Sequence, residues 1–347
     1  MKRTQILFCL LLALTLALPA MAQAAPETIT VYNWGDYIDE DVLYQFEDET
    51  GIRVVYETFE TNEDMYTKLK KSKAGYDVIF PSDYMVERMA REKMLREIDW
   101  NNLPNAAQIQ ERFRGLSYDP EDRYSVPYTW GTMGILYNKT MVEEAPTSWS
   151  ALWDERYAGS ILMLGSSRDT LAITLKALGY SLNSTDEAEL EDAKQRLIEQ
   201  SPLVLAYVVD EVKDKMIAGE AALALVWAGD ATYCMSENED LAYVIPEEGS
   251  NIFFDAMCIP ETAKNPEGAE KFIDFLCRPD IAVQNFEYVG YAIPNQGAID
   301  LLGDDYLNSP VSNPPQELLD KCEIFEYLGD ATKTYDRIWT EIITSLM

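Results

Sequence analysis

Apolar and polar positions follow a strand-like pattern where the chain first becomes regular, and a helical one soon after. Residues 28–33 are β-branched and apolar, which predicts a strand. Across residues 39–50, Val42, Leu43 and Phe46 fall on one helical face, and Gly51 follows at the position of a left-handed C-terminal cap. Residues 53–58 are strand-like again. Thr61-Asn62-Glu63-Asp64 has the form of a capping box opening a helix through Lys71. Residues 76–80 predict a short buried strand and 83–91 another helix. The β-α-β-α-β order implies a largely parallel sheet with right-handed crossovers.

Further along, residues 124–129 and 135–138 read as two extended runs. Trp130-Gly131-Thr132-Met133-Gly134 lies between them as a crossing segment or hinge. A second α/β pattern follows: a strand at 161–164, helices at 169–178 and 186–199, and strands at 203–208 and 222–227. The apolar run 251–259 reads as a return crossing. Residues 268–277 then form a helix of the first lobe, and 318–347 complete the second. Two lobes joined by a double crossover imply a hinged cleft.

The chain has 347 residues, 28 Lys and Arg against 60 Asp and Glu, and no histidine. Lys2 and Arg3, an apolar run over 6–18 and Ala22-Gln23-Ala24 have the form of a cleavable export signal, cut near Ala24. Its removal takes the net charge from −32 to 26 − 60 = −34. No other segment approaches the ~18 uninterrupted apolar residues of a membrane span. The acidic balance argues against nucleic acid and anionic membranes, and is compatible with cationic ligands. Lack of histidine excludes Ser-His-Asp and Cys-His catalysis and histidine-based metal sites. No cofactor or metal is expected. Cys234, Cys258, Cys277 and Cys322 remain after export; buried thiols and disulfides are both open, and none forms a C-x-x-C pair.

Three aromatic-plus-aspartate clusters carry the candidate chemistry: Trp34-Gly35-Asp36-Tyr37, Trp227-Ala228-Gly229-Asp230 and Phe253-Phe254-Asp255. An aromatic face attracts a cation by ~0.5–2 kcal/mol, and a carboxylate accepts its hydrogen bonds. Together they suggest one pocket for an organic cation. The first cluster follows the first strand, and Ser82-Asp83-Tyr84 follows the third, so both fall at the carboxyl ends of strands, where α/β sheets bind ligands. Asp83 reads as a helix cap and Asp36 as a ligand group. Asp255, in an apolar strand, needs a cation or an internal Arg or Lys to offset its burial. Phe254, Met257 and Trp149 read as core.

Tyr32 to Tyr37, Tyr76-Asp77-Val78 with Pro81-Ser82, residues 125–131, Ser148-Trp149, Trp227 to Asp230, and Gly290-Tyr291 with Pro294-Asn295 resemble the spermidine/putrescine-binding periplasmic proteins, in order, over residues 28–303. The resemblance implies a two-lobe α/β binding protein, each lobe a mainly parallel sheet flanked by helices and hinged by crossing strands. It places the first lobe at 25–132 and 256–300 and the second at 133–255 and 301–347. It also implies a monomeric periplasmic carrier that captures putrescine or spermidine and delivers it to an ABC importer's permease. A polyamine sensor and an exported carboxylate enzyme are the alternatives. Carried over by position, the ligand residues are Trp34, Asp36, Tyr37, Ser82, Tyr84, Asp169, Trp227, Asp230, Phe253, Asp255 and Tyr291. Spermidine-type members have a carboxylate pair where Ser166 and Asp169 stand, and a glutamine near Phe325. These departures, with Gly35 in place of a hydroxyl residue, tilt the expectation towards putrescine.

Overall fold

The computed structural model describes residues 27–71 and 75–345. The expected export signal lies outside them. β1 (Thr28–Trp34) leads to α1 (Glu40–Thr50), whose first turn is capped by Asp39, which accepts from the Asp41 amide at 3.0 Å. Gly51 closes that helix at φ 72°, as the sequence predicted. β2 (Arg53–Phe59) precedes α2 (Asn62–Lys71), where Thr61 Oγ accepts from the Asp64 amide at 3.1 Å. β3 (Val78–Ile79) and α3 (Asp83–Arg91) complete the first βα series.

β4 (Ser125–Asn138) is one unbroken strand of 14 residues, all buried, not two runs around a hinge. Its glycines do not interrupt it, because rings lie over them. A Cβ at Gly131 would stand 2.7 Å from Phe253 Cζ, and one at Gly134 would collide with Tyr243. Then come β5 (Ile161–Leu164), α4 (Ser167–Ala177), α5 (Glu187–Gln200), β6 (Val204–Val208), α6 (Glu211–Ile217), β7 (Leu223–Trp227), α7 (Ala228–Glu237), β8 (Leu241–Val244) and β9 (Ile252–Cys258). The remainder is helical: α8 (Pro266–Leu276), α9 (Pro279–Val289), α10 (Gln296–Leu302), α11 (Asp304–Leu307), α12 (Gln316–Leu319) and α13 (Thr332–Ser345).

The strands run in the order β2-β1-β3-β9-β4-β7-β5-β6, with β8 beside β4. β1 pairs parallel with β2 and β3, and β5 parallel with β6 and β7. Every pairing of β4 or β9 is antiparallel. Each lobe therefore keeps the parallel sheet that βα units build, and the two crossing strands join the lobes antiparallel. Along β4, Val126, Tyr128 and Trp130 pack in the first core, and Met133, Ile135 and Tyr137 in the second. A fully buried side chain of this size contributes about 1.5–3 kcal/mol, so β4 is firmly seated in both cores.

Two boundaries differ from the sequence expectation. Phe253, Phe254 and Tyr306 pack in the first core, not the second. β9 is held there by β3 and the front of β4, and the Tyr306 hydroxyl donates to Ile293 O at 3.3 Å. Of the cysteines, Cys234, Cys258 and Cys277 are buried, Cys322 is half-buried, and all four are free thiols.

Candidate ligand-binding cleft

A cleft of about 860 Å³ opens between the two cores. Its walls come from the β1–α1 loop, the amino ends of α3, α4 and α7, the strand β9 and the segment after α9. Every ligand residue expected from the sequence lies on this wall, together with Phe325 and Asn251. Trp149, Phe254 and Met257 are core, as expected.

Asp255 forms the floor. It stands opposite Thr129 of β4 and bridges to Ser82 ahead of α3, so three segments converge on it. The Tyr37 hydroxyl donates to its Oδ2 at 2.5 Å and lies 2.6 Å from Thr129 Oγ1. Asp255 is 5% exposed, yet its Oδ1 has no hydrogen-bond partner among the described residues. Burial pushes its carboxyl up to about 6 against the opposing Ser82 and Tyr37 hydroxyls, and the Asp169 charge adds to the rise. An orphaned buried acceptor is costly unless something donates to it. The residue that carries it lines the cleft.

Aromatic rings surround that carboxylate. The Tyr37 and Tyr291 centroids are 5.1 Å apart, Phe253 and Tyr291 5.9 Å, and Trp34 and Tyr37 6.5 Å, all edge-on. Trp34 is fixed by its indole N–H donating to Phe80 O at 2.7 Å, and Tyr37 by the Tyr128 hydroxyl donating to its carbonyl at 2.8 Å. Gly229, inside the second aromatic cluster, leaves room for the Tyr291 ring: a Cβ there would overlap it.

Asp169 and Asp230 each stand in the first turn of a helix, α4 and α7. Ser166 Oγ donates to Asp169 Oδ2 at 2.5 Å, and the Trp227 side chain bonds it too. Burial raises the Asp169 carboxyl, and those two donors oppose the rise. Burial pushes Asp230 up to about 7, against Lys213 and with Asp210 and Asp36 adding to it. Asp230 makes no side-chain hydrogen bond among the described residues. Tyr84 donates to Glu63 Oε1 at 3.0 Å and meets Phe325 edge-on at 6.1 Å. Ser82 Oγ accepts from Asn62 Nδ2 at 3.0 Å.

One aspartate differs from expectation. Asp83 is not the cap residue; Ser82 is, and the buried Asp83 carboxylate accepts from the amides of Tyr84 at 2.7 Å and Phe254 at 3.2 Å, tying α3 to β9. Asp36 sits at the rim, its side chain 70% exposed and 3.2 Å from Lys213 Nζ. Sequence reasoning missed that lysine, since one cation within Asp210-Glu211-Val212-Lys213-Asp214 looks like an ordinary acidic helix start.

Carboxylates backed by aromatic rings, set between two lobes, are suited to an organic cation. Fold and cleft together define a two-lobe solute-binding protein. The chain belongs to the bacterial extracellular solute-binding protein family, whose model matches residues 42–314. It is 37% identical over 332 residues to a spermidine/putrescine-binding periplasmic protein of Salmonella typhimurium, covering 95% of both chains. It is 29% identical over 342 residues to the putrescine-binding periplasmic protein PotF of Escherichia coli, covering 92% of both. Among solved structures, the spermidine/putrescine ABC transporter substrate-binding protein PotD of Streptococcus pneumoniae superposes with a TM-score of 0.80 at 40% identity, over 92% of this chain and 100% of that one.

Proposed function

We propose that this protein is an exported, non-catalytic carrier that captures a polyamine between its lobes and delivers it to an ABC importer. The observation that carries the reading is Asp255, a buried carboxylate with an unpartnered oxygen at the centre of an aromatic-walled cleft. A ligand ammonium completes it. The rings of Trp34, Tyr37, Trp227, Phe253 and Tyr291 cover the methylenes, and Asp169 and Asp230 supply further negative charge. Substrates bearing a carboxylate are repelled by that charge. Closure of the lobes about β4 and β9 removes water from the ion pairs and strengthens them.

The names of the relatives support the same ligand class. Higher identity to the spermidine/putrescine protein than to PotF favours acceptance of both amines over putrescine alone. Calorimetric titration of ligand-stripped mature protein with putrescine, cadaverine, spermidine and spermine tests the proposal, with butylamine and glutamate as controls. Micromolar or tighter binding of at least one polyamine, and none of glutamate, is expected. No heat with any polyamine would overturn it.

A further inference from the structure

Lys213 is the part of the cleft that a general affinity for cations leaves unaccounted for. It stands on α6 of the second lobe, and its ammonium reaches across the cleft to Asp36 Oδ2 on the β1–α1 loop of the first, at 3.2 Å. Its side chain is only 17% exposed. Asp210 and Asp230 add to the negative field around it, and Tyr288 is near enough to feel its charge. One end of a cleft for cations thus already contains a cation, tethered to the chain.

At the other end no ammonium is hydrogen-bonded to a cleft carboxylate among the described residues, although the Arg168 charge lowers the Asp169 carboxyl from a distance. Asp255 Oδ1 is unpartnered, and the donors to Asp169 are the neutral side chains of Ser166 and Trp227. Arg168, the neighbouring cation, is turned away: it donates to Leu182 O at 2.9 Å and to Asn183 Oδ1 at 2.5 Å, and its guanidinium lies 4.2 Å from the Phe325 ring. The Asp255 and Asp169 charges are close enough to raise the Asp255 carboxyl.

We infer that Lys213 is a specificity-determining residue, a built-in ammonium that fills the Asp36–Asp230 end of the cleft and limits how long and how highly charged a ligand can be. The inference rests on the polyamine reading. A diamine engages Asp255 and Asp169 and leaves Lys213 in place. A longer amine carries a further ammonium towards α6. It must then stand beside Lys213 in a partly desolvated site or displace it from Asp36, and either is unfavourable. Arginine at this position keeps the charge and the restriction, whereas methionine keeps most of the packing and removes the charge.

The experiment is calorimetric titration of wild-type, Lys213→Met, Lys213→Gln and Lys213→Arg proteins with putrescine, spermidine and spermine. The expected result is tightening of spermidine and spermine by about tenfold in the Met and Gln variants, with putrescine changed less than about twofold and the Arg variant ranked as wild type. Unchanged ratios in the Met and Gln variants overturn the inference. So does equal weakening of all three amines, which would make Lys213 only a tie between the lobes. Wild-type protein that binds none of the amines overturns the function beneath it, a result distinct from binding with unaltered ratios.

Discussion

Replacing Asp255 by asparagine separates binding from stability, because the two move in opposite directions. The amide is nearly isosteric and can still accept from Tyr37, whose hydroxyl lies 2.5 Å from Oδ2 in the native protein. It removes the charge and can place an NH₂ donor where Oδ1 is now buried and unpartnered. Loss of one partner of a desolvated, hydrogen-bonded charge pair costs about 3 kcal/mol, so affinity for the preferred polyamine should fall more than about a hundredfold. Stability of the empty protein should rise. The folded-state carboxyl sits at about 6 against an ordinary 3.8, so the folded state binds its proton more tightly than the unfolded chain does. Below pH ~4 both states are protonated and nothing is lost. Between pH ~4 and ~6 the unfolded state ionises first and stability declines, and above pH ~6 the full penalty of about 3 kcal/mol applies. Asparagine carries no such penalty. Urea denaturation of ligand-free wild type and variant from pH 4 to 8, beside calorimetry at pH 7.5, reads both effects. Wild-type affinity in the variant, or an empty variant less stable than wild type at pH 7.5, would refute the reasoning.

The remaining predictions concern protons, shape and selectivity. With Asp255 raised to about 6 by burial, an incoming ammonium must bind its ionised form. Binding near pH 6 should therefore release protons, and affinity should decline as pH falls from 7 to 5. Heats measured in phosphate and imidazole at pH 6.5 check this, and buffer-independent heats with flat affinity would contradict it. Gly229→Ala puts a methyl group into the Tyr291 ring and should displace it, weakening binding at least about tenfold and costing about 1–3 kcal/mol of stability. Calorimetry and thermal unfolding read the two, and an unchanged variant would show that the ring moves aside freely. Lys213→Met should favour longer amines, as argued above, with the ratio of spermine to putrescine affinity as its measure.

Much of the fold is legible in the sequence because periodicity and caps coincide. Val42, Leu43 and Phe46 mark the buried face of α1 between Asp39 and Gly51, and the same two signals recur at α5. The join between the lobes is not legible. β3 is two residues long, and its pairing with β9 spans far too much chain for a local pattern to reveal. Gly131 and Gly134 left a crossing strand and a hinge both open, because glycine is a poor strand former; the crossing strand is what forms, and the glycines admit the rings of Phe253 and Tyr243 against its backbone. α7 was hidden by Gly229, and α9 was passed over despite Pro279 at its start and Gly290 at its end. In the cleft, residues at strand ends beside aromatic rings were readable as a group. The state of each carboxylate was not, since it depends on partners distant in sequence: Tyr37 for Asp255, Phe254 for Asp83 and Lys213 for Asp36.

A crystal structure of the protein with bound spermidine decides whether Asp255 holds an amine. An ammonium nitrogen is expected about 3 Å from the Asp255 carboxylate, with the methylenes between the rings of Tyr37, Phe253 and Tyr291. Spermidine bound outside the cleft, or within it with no amine on Asp255, would overturn the polyamine carrier.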